Sequence, residues 1–488
     1  MSDCQDAIQA ECIVVGDGIA GVSAALAAAR HGTDTILVRK CTTYDDIDHA
    51  IDVAIDECAN PNARMCVSGI IEEIILDCSY AQSQGRVVDG AAIVQEKLHE
   101  QKKLRVLSAC TLVSVELKDD TVVSAELSCT LSQRHTKVSA PLFADCTDTG
   151  DLIRCCAIRS ETADENAAGA DVYGESVSGV VVNERCLVGE YVLTMRDIRQ
   201  NTLFDDAIAC SLQPPDDRTG AYAGTSPTHG GANGIFTIPY RCLYARSINN
   251  IFVGVRTLSC DSDLSKAMCD RAATNAAIGQ AIGTAASLAL SFTCTPRDLL
   301  GYTDVLQQML LEDDCYIPTI RNHDPRDHAR KGTVYASSSL DAAPAHSIIN
   351  GVSRAVGNCC NYWCADMRKD ATPTVSIEFD SIKALNKIVI MFDASGASSD
   401  GTDDSNAPAV SDASVTSNVP ATLVKSYKLL FYRGDCLVAH KTIENPGHRL
   451  QVIRSAQALA CDRIDICVEE TFGSHFATIY EVRAYGLL

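Results

Sequence analysis

Six residues near the start constrain this chain more than anything that follows: Gly16-Asp17-Gly18-Ile19-Ala20-Gly21. They stand between a short apolar run, Glu11 to Val15, and an Ala- and Leu-rich stretch, Gly18 to Arg30, that His31-Gly32 closes. A second apolar run, Thr35 to Val38, follows. That order predicts strand, tight turn, helix and strand, a βαβ unit with both strands buried. Each glycine has its own use. Gly16 permits the turn, Gly18 lets the backbone approach a pyrophosphate, and Gly21 lets helix and strand pack closely. The helix start adds free N–H groups and the positive end of its dipole.

A G-x-G-x-x-G alone is a weak signal. With these flanks, and with the second strand ending about 20 residues on, where a ribose-binding residue belongs, it predicts a dinucleotide site. The ribose position departs from pattern. An acidic residue ordinarily ends that strand, but here Val38 is followed by Arg39 and Lys40, which suit a 2′-phosphate. An NADP-binding reading therefore stays open. Asp17 also sets a carboxylate beside the phosphate turn.

The 488 residues suggest two or three domains. Thr42 to Asn62 reads as loop and helix, and Ser68 to Gln84 and Ala91 to Gln101 as helices. Strands follow at Arg105 to Ser108, Thr111 to Leu117, Val122 to Ser128 and Thr136 to Asp145, with a hairpin at Lys118-Asp119-Asp120. Ala167 to Gly230 is polar, with Pro214-Pro215 marking loops. Asn250 to Val255 is another buried strand, Lys266 to Ser291 one long Ala-rich helix, and Asp304 to Glu312 a further helix. Near 319–333 the style changes. Short strands at Val375 to Phe379, Lys387 to Phe392, Tyr427 to Tyr432, Arg463 to Val468 and Tyr480 to Ala484 predict an all-β sandwich, with Ala394 to Ala421 a mobile loop. The expected fold is α/β: a Rossmann-like FAD/NAD(P)-binding domain over 1–318, with an inserted mixed α+β substrate region at roughly 155–245, then an all-β sandwich over 326–488.

A net charge of -22 argues against nucleic acid and anionic membrane surfaces as partners. The polar start, Met1-Ser2-Asp3-Cys4-Gln5-Asp6, has no leader pattern, and no apolar run of about 18 residues is present. The 24 cysteines then read as mostly reduced thiols of a soluble cytoplasmic protein. Cys155-Cys156 and Cys359-Cys360 with Cys364 lack the two separated C-x-x-C units of a zinc ribbon, so buried small thiols are the simpler reading and no metal is expected.

Five segments, in order, carry a resemblance. They are the fingerprint from Cys12 to Gly32, Ala140 to Leu152 (A-P-L-F-A-D-C-T-D-T-G-D-L), Ile238 to Tyr244 (I-P-Y-R-C-L-Y), Asn250 to Ser259 (N-I-F-V-G-V-R-T-L-S) and Ala277 to Ala286 (A-I-G-Q-A-I-G-T-A-A). Together they resemble the FAD-dependent oxidoreductase family with a glutathione-reductase-like flavin domain. The resemblance implies FAD as cofactor and an oxidoreductase acting on a small, carbohydrate-derived substrate. It places cofactor contacts at Gly16, Gly18, Ile19, Ala20 and Gly21, and at Val38, Arg39 and Val113. It adds Cys146, Thr147 and Asp148, then Gly254 and Arg256, then Gly279, Gln280 and Gly283. Tyr240 and Arg241 fall near the ring as catalytic candidates, Tyr240 to pass a proton and Arg241 to steady an anionic flavin or a substrate carboxylate. Gly279 and Gly283, four apart on one helix face, permit close approach of another backbone or of a cofactor. Val113 and Val115 lie on the strand that the resemblance runs near the adenine, and as bare hydrophobics both read as core; His229 reads as a solvated loop residue rather than a base.

Three departures qualify this. Cys41 to Cys66 contains no glycine where the family has a Gly-Gly pair, Asp148 stands where it has Gly, and Ile158 to Glu190 is short. The region from about 326 resembles discoidin-like, galactose-binding-type modules, through Ala336 to Ser339, Ile349 to Gly351, Trp363 and Val375 to Phe379. That implies a glycan partner there, with Trp363 read as core rather than as a sugar platform. The alternative to a flavoenzyme is a non-catalytic glycan-binding protein with a degenerate flavin site.

Overall fold

In the computed structural model the described residues are 7–60, 63–156, 189–213, 234–356, 359–395 and 419–486. His229, Pro214-Pro215 and nearly all of the Ile158 to Glu190 and Ala394 to Ala421 segments lie outside them. The chain divides into two compact units. One comprises 1–72, 89–310 and 315–318, the other 73–88, 311–314 and 319–488.

The first unit opens with β1 (Ala7–Gln9), β2 (Cys12–Val15), α1 (Ile19–Arg30), β3 (Thr35–Val38) and α2 (Asp45–Ala59). It continues with α3 (Gly90–Glu100), β4 (Leu104–Leu107), β5 (Cys110–Lys118), β6 (Thr121–Cys129), β7 (His135–Ser139) and β8 (Leu142–Asp145). After these come β9 (Ala207–Leu212), β10 (Ile235–Pro239), β11 (Ile251–Val253), α4 (Ser262–Cys269) and α5 (Ala272–Phe292). Strands β11-β8-β2-β3-β4 make a five-stranded sheet in that order, every pair parallel. All residues of β2, β3 and β8 are buried, as expected of strands covered on both faces. This is the predicted Rossmann-like fold. A second sheet, β1-β7-β6-β5, shares a buried core with it, and β9 and β10 form an antiparallel pair. Asp119 and Asp120, at φ 48 and 56, make the predicted hairpin turn between β5 and β6.

Two predicted elements are each divided. The strand expected over Thr136 to Asp145 is β7 and β8, which belong to different sheets. Pro141 stands between them, and a proline cannot donate to a ladder. The Pro141 carbonyl is held instead by Asn250, whose Nδ2 donates to it at 2.9 Å and to Val122 O at 2.8 Å. The helix expected over Lys266 to Ser291 is α4 and α5, separated at Asp270-Arg271. At that break the Glu57 carboxylate accepts the Ala273 N–H at 2.9 Å and lies 3.7 Å from Arg271, so a buried acid serves the start of α5.

In the second unit, β12 (Thr333–Ala336), β13 (Trp363–Asp366), β14 (Thr374–Phe392), β15 (Val424–Arg433), β16 (Cys436–Glu444), β17 (Leu450–Thr471) and β18 (Phe476–Gly486) build an antiparallel β-sandwich. Their order is β13-β18-β14-β17-β15-β16, with β12 on β14. The two runs read as separate strands, Val375 to Phe379 and Lys387 to Phe392, are one strand. Register shifts at Glu378/Lys383 and Leu385/Lys387 bend it without ending its pairing to β17. Alternation then decides the faces. Ile388, Ile390 and Phe392 join the main core with Trp363, Tyr427 and Ile466, while Val389 and Met391 pack with Tyr480 and Tyr485.

A buried polar set ties 319–328 to β18. Asp327, 1% exposed, accepts N–H groups from Ala329 at 3.0 Å and Ala484 at 2.9 Å, and Asn322 Nδ2 bridges it to Glu481. Burial, reinforced by the Glu481 carboxylate, pushes Asp327 up to about 6. The folded unit therefore keeps this proton to higher pH than the unfolded chain, whose aspartates titrate near about 4. The resulting stabilisation is full below about pH 4 and lost as pH rises through about 6. Thermal unfolding of wild type and Asp327→Asn, followed from pH 7 to pH 5, is expected to show wild type gaining stability relative to the variant as pH falls. Parallel curves would remove this assignment.

Candidate functional site

The C-terminal ends of the parallel strands converge through backbone hydrogen bonds that continue the ladder past its last residues. Gly16 N–H donates to Val38 O at 3.0 Å, Cys146 N–H to Val15 O at 2.8 Å, and Gly254 N–H to Asp145 O at 2.7 Å. These ends are packed without spare room. A Cβ on Gly16 would lie 2.5 Å from Cys146 O, one on Gly254 3.1 Å from Asp145 O, and one on Gly21 2.8 Å from Gly16 O. Below them Asp145 is fully buried, and burial raises its pKa. Its carboxylate accepts from Thr147 N–H at 3.1 Å, Thr147 Oγ1 at 2.7 Å and Ile153 N–H at 3.0 Å, which folds 145–153 back over the strand end.

Gly18 differs from its neighbours. It is the N-cap of α1 in extended conformation, and a Cβ built on it would meet nothing within 4 Å. As a glycine, the N-cap offers no side chain to cap this helix, and no acidic residue lies in its first turn. The first-turn N–H groups of a helix have no intrahelical acceptor, so this end presents donors and positive potential toward open space.

The ribose side is built around Arg39, which is 1% exposed. Its guanidinium lies 3.6 Å from the Tyr44 ring centroid and donates to Thr43 O at 3.0 Å and Asp17 O at 3.4 Å. Nε is 3.9 Å from Asp17 Oδ1, yet Nε and Nη1 have no hydrogen-bond partner. That same Asp17 Oδ1 accepts Cys41 N–H at 3.0 Å. Lys40, next along, pairs with Asp151.

A model of the family described as FAD dependent oxidoreductase matches residues 11–178 and 183–310, more than half of the chain. The chain belongs to that family. The FAD for which that family is named is a dinucleotide, and the residues present fit its diphosphate: an open glycine, a helix start without a side-chain cap from its N-cap residue, and strand ends closed around them.

Within this member of the FAD dependent oxidoreductase family the other sequence candidates take different places. Cys146 is buried behind Gly16, and Thr147 is consumed by Asp145. Ile19 is buried and Val38 forms part of the core. Val113 is 47% exposed on β5, whereas Val115 is core. Gly279 and Gly283 meet α1 rather than open space. A Cβ at Gly279 would sit 2.8 Å from the Ala20 carbonyl carbon and closer still to its oxygen, and one at Gly283 2.9 Å from that of Ala24. Of the two partners their spacing allows, another backbone is the one present. Gln280 turns away from that contact and accepts Ile70 N–H at 2.9 Å.

Tyr240 has no exposed surface, donates from its hydroxyl to Pro296 O at 2.6 Å, and is held by burial well above the ordinary tyrosine range. Arg241 makes a two-pronged pair with Asp206, Nε to Oδ2 and Nη2 to Oδ1, both at 2.9 Å. Arg256, by contrast, is 37% exposed and 3.7 Å from the exposed Asp148 carboxylate. Sequence reading missed Tyr44, Asp145, Asp206 and Glu57. The D-x-T of Asp145-Cys146-Thr147, a local side-chain-to-backbone turn pattern, was the one available signal.

Among the described residues no group of three or more His, Cys, Asp or Glu could hold a metal ion, and no helix is long and apolar enough to cross a membrane. No curated protein matches the chain. Several solved structures match about a third of it. They include the family 32 CBM from C. perfringens NanJ in complex with galactose (17% identity, 33% of this chain and 98% of that chain, TM-score 0.24). A Streptococcus pneumoniae fucose binding module matches at 13% identity over 33% of this chain and 98% of its own, TM-score 0.25. Chitosan-binding module 1 of a Paenibacillus chitosanase/glucanase does so at 13% over 33% and 98%, TM-score 0.24. Similarity at this level says nothing of a ligand.

Proposed function

We propose that this chain binds FAD through Gly18 and the start of α1 and uses it to oxidise or reduce a small, carbohydrate-derived substrate. The observation that carries the cofactor is the contrast among the fingerprint glycines. Gly16 and Gly21 are demanded by packing, while a Cβ on Gly18 meets no atom of the described residues within 4 Å. Bound there, FAD would supply electron transfer at its ring, and the protein supplies binding, orientation and electrostatics. Gly18 and the α1 N–H groups hold the diphosphate. Arg256, the more exposed of the two arginines read near the ring, is the cation available to a substrate carboxylate or to negative charge on the cofactor. Tyr240 and Arg241 are fixed in place by Pro296 and Asp206. The carbohydrate character of the substrate rests on the sequence resemblance alone.

Gly18→Val separates binding from folding. The added side chain meets no protein atom within 4 Å at its Cβ, so thermal stability is expected to stay within about 1 kcal/mol of wild type. FAD affinity should fall at least about a hundredfold, roughly 2.7 kcal/mol, because the branch occupies the diphosphate's place. Unchanged FAD affinity in a folded Gly18→Val protein would sink the assignment.

A second reading has its own observation. Arg39, with Nε and Nη1 lacking hydrogen-bond partners at the ribose position, favours the 2′-phosphate of NADP. Competition between FAD and NADP on the same preparation decides between them. Glycan binding by the second unit is proposed on the sequence resemblance, with a glycan array as its test. Trp363, fully buried, takes no part in it.

A further inference from the structure

Cys110 begins β5 and Cys129 ends β6, and they face each other directly in the antiparallel register. They exchange no backbone hydrogen bond. Cys110 N–H donates to Arg39 O at 2.8 Å and Cys129 N–H to Arg134 O at 2.9 Å, while Thr130 N–H reaches Ala109 O beyond them at 2.8 Å. In such a non-hydrogen-bonded pair the Cα atoms stand about 4.5 Å apart and the side chains are close. That lies within the roughly 4.4–6.8 Å span disulfides accept. Here the thiols are in hydrogen-bonding contact, and Cys110 Sγ has Ser108 O 3.4 Å away as a further acceptor. Both residues are partly exposed.

The turn after Cys129 supplies the chemistry. Gln133 N–H closes it onto Cys129 O at 2.8 Å, and Leu131 at its tip is 77% exposed. The Ser132 side chain, then the backbones of Ser132 and Leu131, hydrogen-bond the Cys129 sulfur and lower its pKa. Burial does the opposite to Cys12 and Cys260, each pushed up to about 12. Thiolate character and exposure together mark a reactive cysteine.

We propose that Cys110 and Cys129 are a modification site, a cross-strand dithiol that a hydroperoxide closes to a disulfide. The Cys129 sulfur attacks one peroxide oxygen and the O–O bond breaks. The departing oxygen takes a proton and leaves as water or alcohol, and Cys129 becomes a sulfenic acid. Cys110 sulfur then attacks Cys129 sulfur, the S–O bond breaks, and a second water leaves with the Cys110 proton. Two thiols lose two electrons and two protons in all, and the peroxide gains them.

Trypsin reads this out directly, because cleavage after Arg105, Lys118 and Arg134 places Cys110 alone in 106–118 and Cys129 alone in 119–134. The full-length native chain, reduced and freed of reductant, is treated with hydrogen peroxide at about one equivalent, alkylated and mapped by mass spectrometry. The expected result is the two peptides joined, two hydrogens lighter than their sum, at least tenfold above any other cysteine pair and absent after reduction. Cys110→Ser should instead leave Cys129 as a sulfenic acid trapped by a dimedone-type reagent, and Cys129→Ser should leave Cys110 a free thiol. Recovery of both peptides separately alkylated while other thiols oxidise would overturn the proposal. So would a Cys110 that oxidises as fast in Cys129→Ser as in wild type.

Discussion

Gly279→Leu is expected to abolish the folded state of the first unit. The Cβ alone would fall 2.8 Å from the Ala20 carbonyl carbon, and what it meets is backbone of α1, which cannot rotate away. Forcing extra carbons into a packed interior costs about 1–3 kcal/mol where side chains can shift. Here two helices must separate, so the cost should exceed about 3 kcal/mol, a large part of a domain's typical stability of about 5–15 kcal/mol. Because α1 starts at Gly18, bound flavin should be lost together with the first unit's unfolding transition. Gly301→Ala is the control. Its Cβ meets nothing within 4 Å, and its melting curve should match wild type within about 0.5 kcal/mol. A cooperative, wild-type-like transition in Gly279→Leu would show that α1 and α5 do not pack through these glycines.

Trp363→Ala should be the corresponding lesion in the sandwich. Trp363 is fully buried among Val375, Ile377 and Ile479, and its indole N–H donates to Ser338 O at 2.9 Å and Ser339 Oγ at 3.1 Å. Truncating a buried aromatic to alanine costs about 3–5 kcal/mol, and the two abandoned acceptors add to it. Calorimetry should show the second unit's transition lowered or gone, with Trp363→Phe intermediate because it keeps the apolar bulk and loses the N–H. As the single tryptophan, Trp363 also reports on the fold in wild type. A soluble quencher should fail to reach it. Efficient quenching in the native protein would place the ring at the surface and reopen its role in holding a sugar.

The sequence made the centre of the first unit readable because the physics there is local. β2 and β3 are continuous apolar runs, as strands buried on both faces must be, and Gly16, Gly18 and Gly21 sit at the spacing the turn requires. It was less readable where burial does not alternate. β16 exposes most of its residues and so shows no period-2 pattern. β14 carries a polar middle that resembles a loop, because its pairing to β17 is interrupted after Glu378 and resumes at Lys383, leaving Asp380 and Ser381 between the two paired stretches. At the site, the spacing of Gly279 and Gly283 identified a face but not what lies against it. The partners of Tyr240 and Arg241 are remote in sequence, Pro296 by 56 residues and Asp206 by 35, and no local pattern announces such pairs. Arg39 was visible as a departure from the acidic pattern, but its stacking on Tyr44 depends on how 41–44 folds back.

The central claim is that this member of the family holds a flavin despite Arg39 and Asp148. The most direct measurement is the visible absorption spectrum of the folded, full-length chain, as purified and after exposure to added FAD followed by removal of the unbound fraction. The account predicts flavin bands corresponding to one FAD per chain, lost in the folded Gly18→Val variant. A folded wild-type chain without flavin bands that also takes up no added FAD would contradict it.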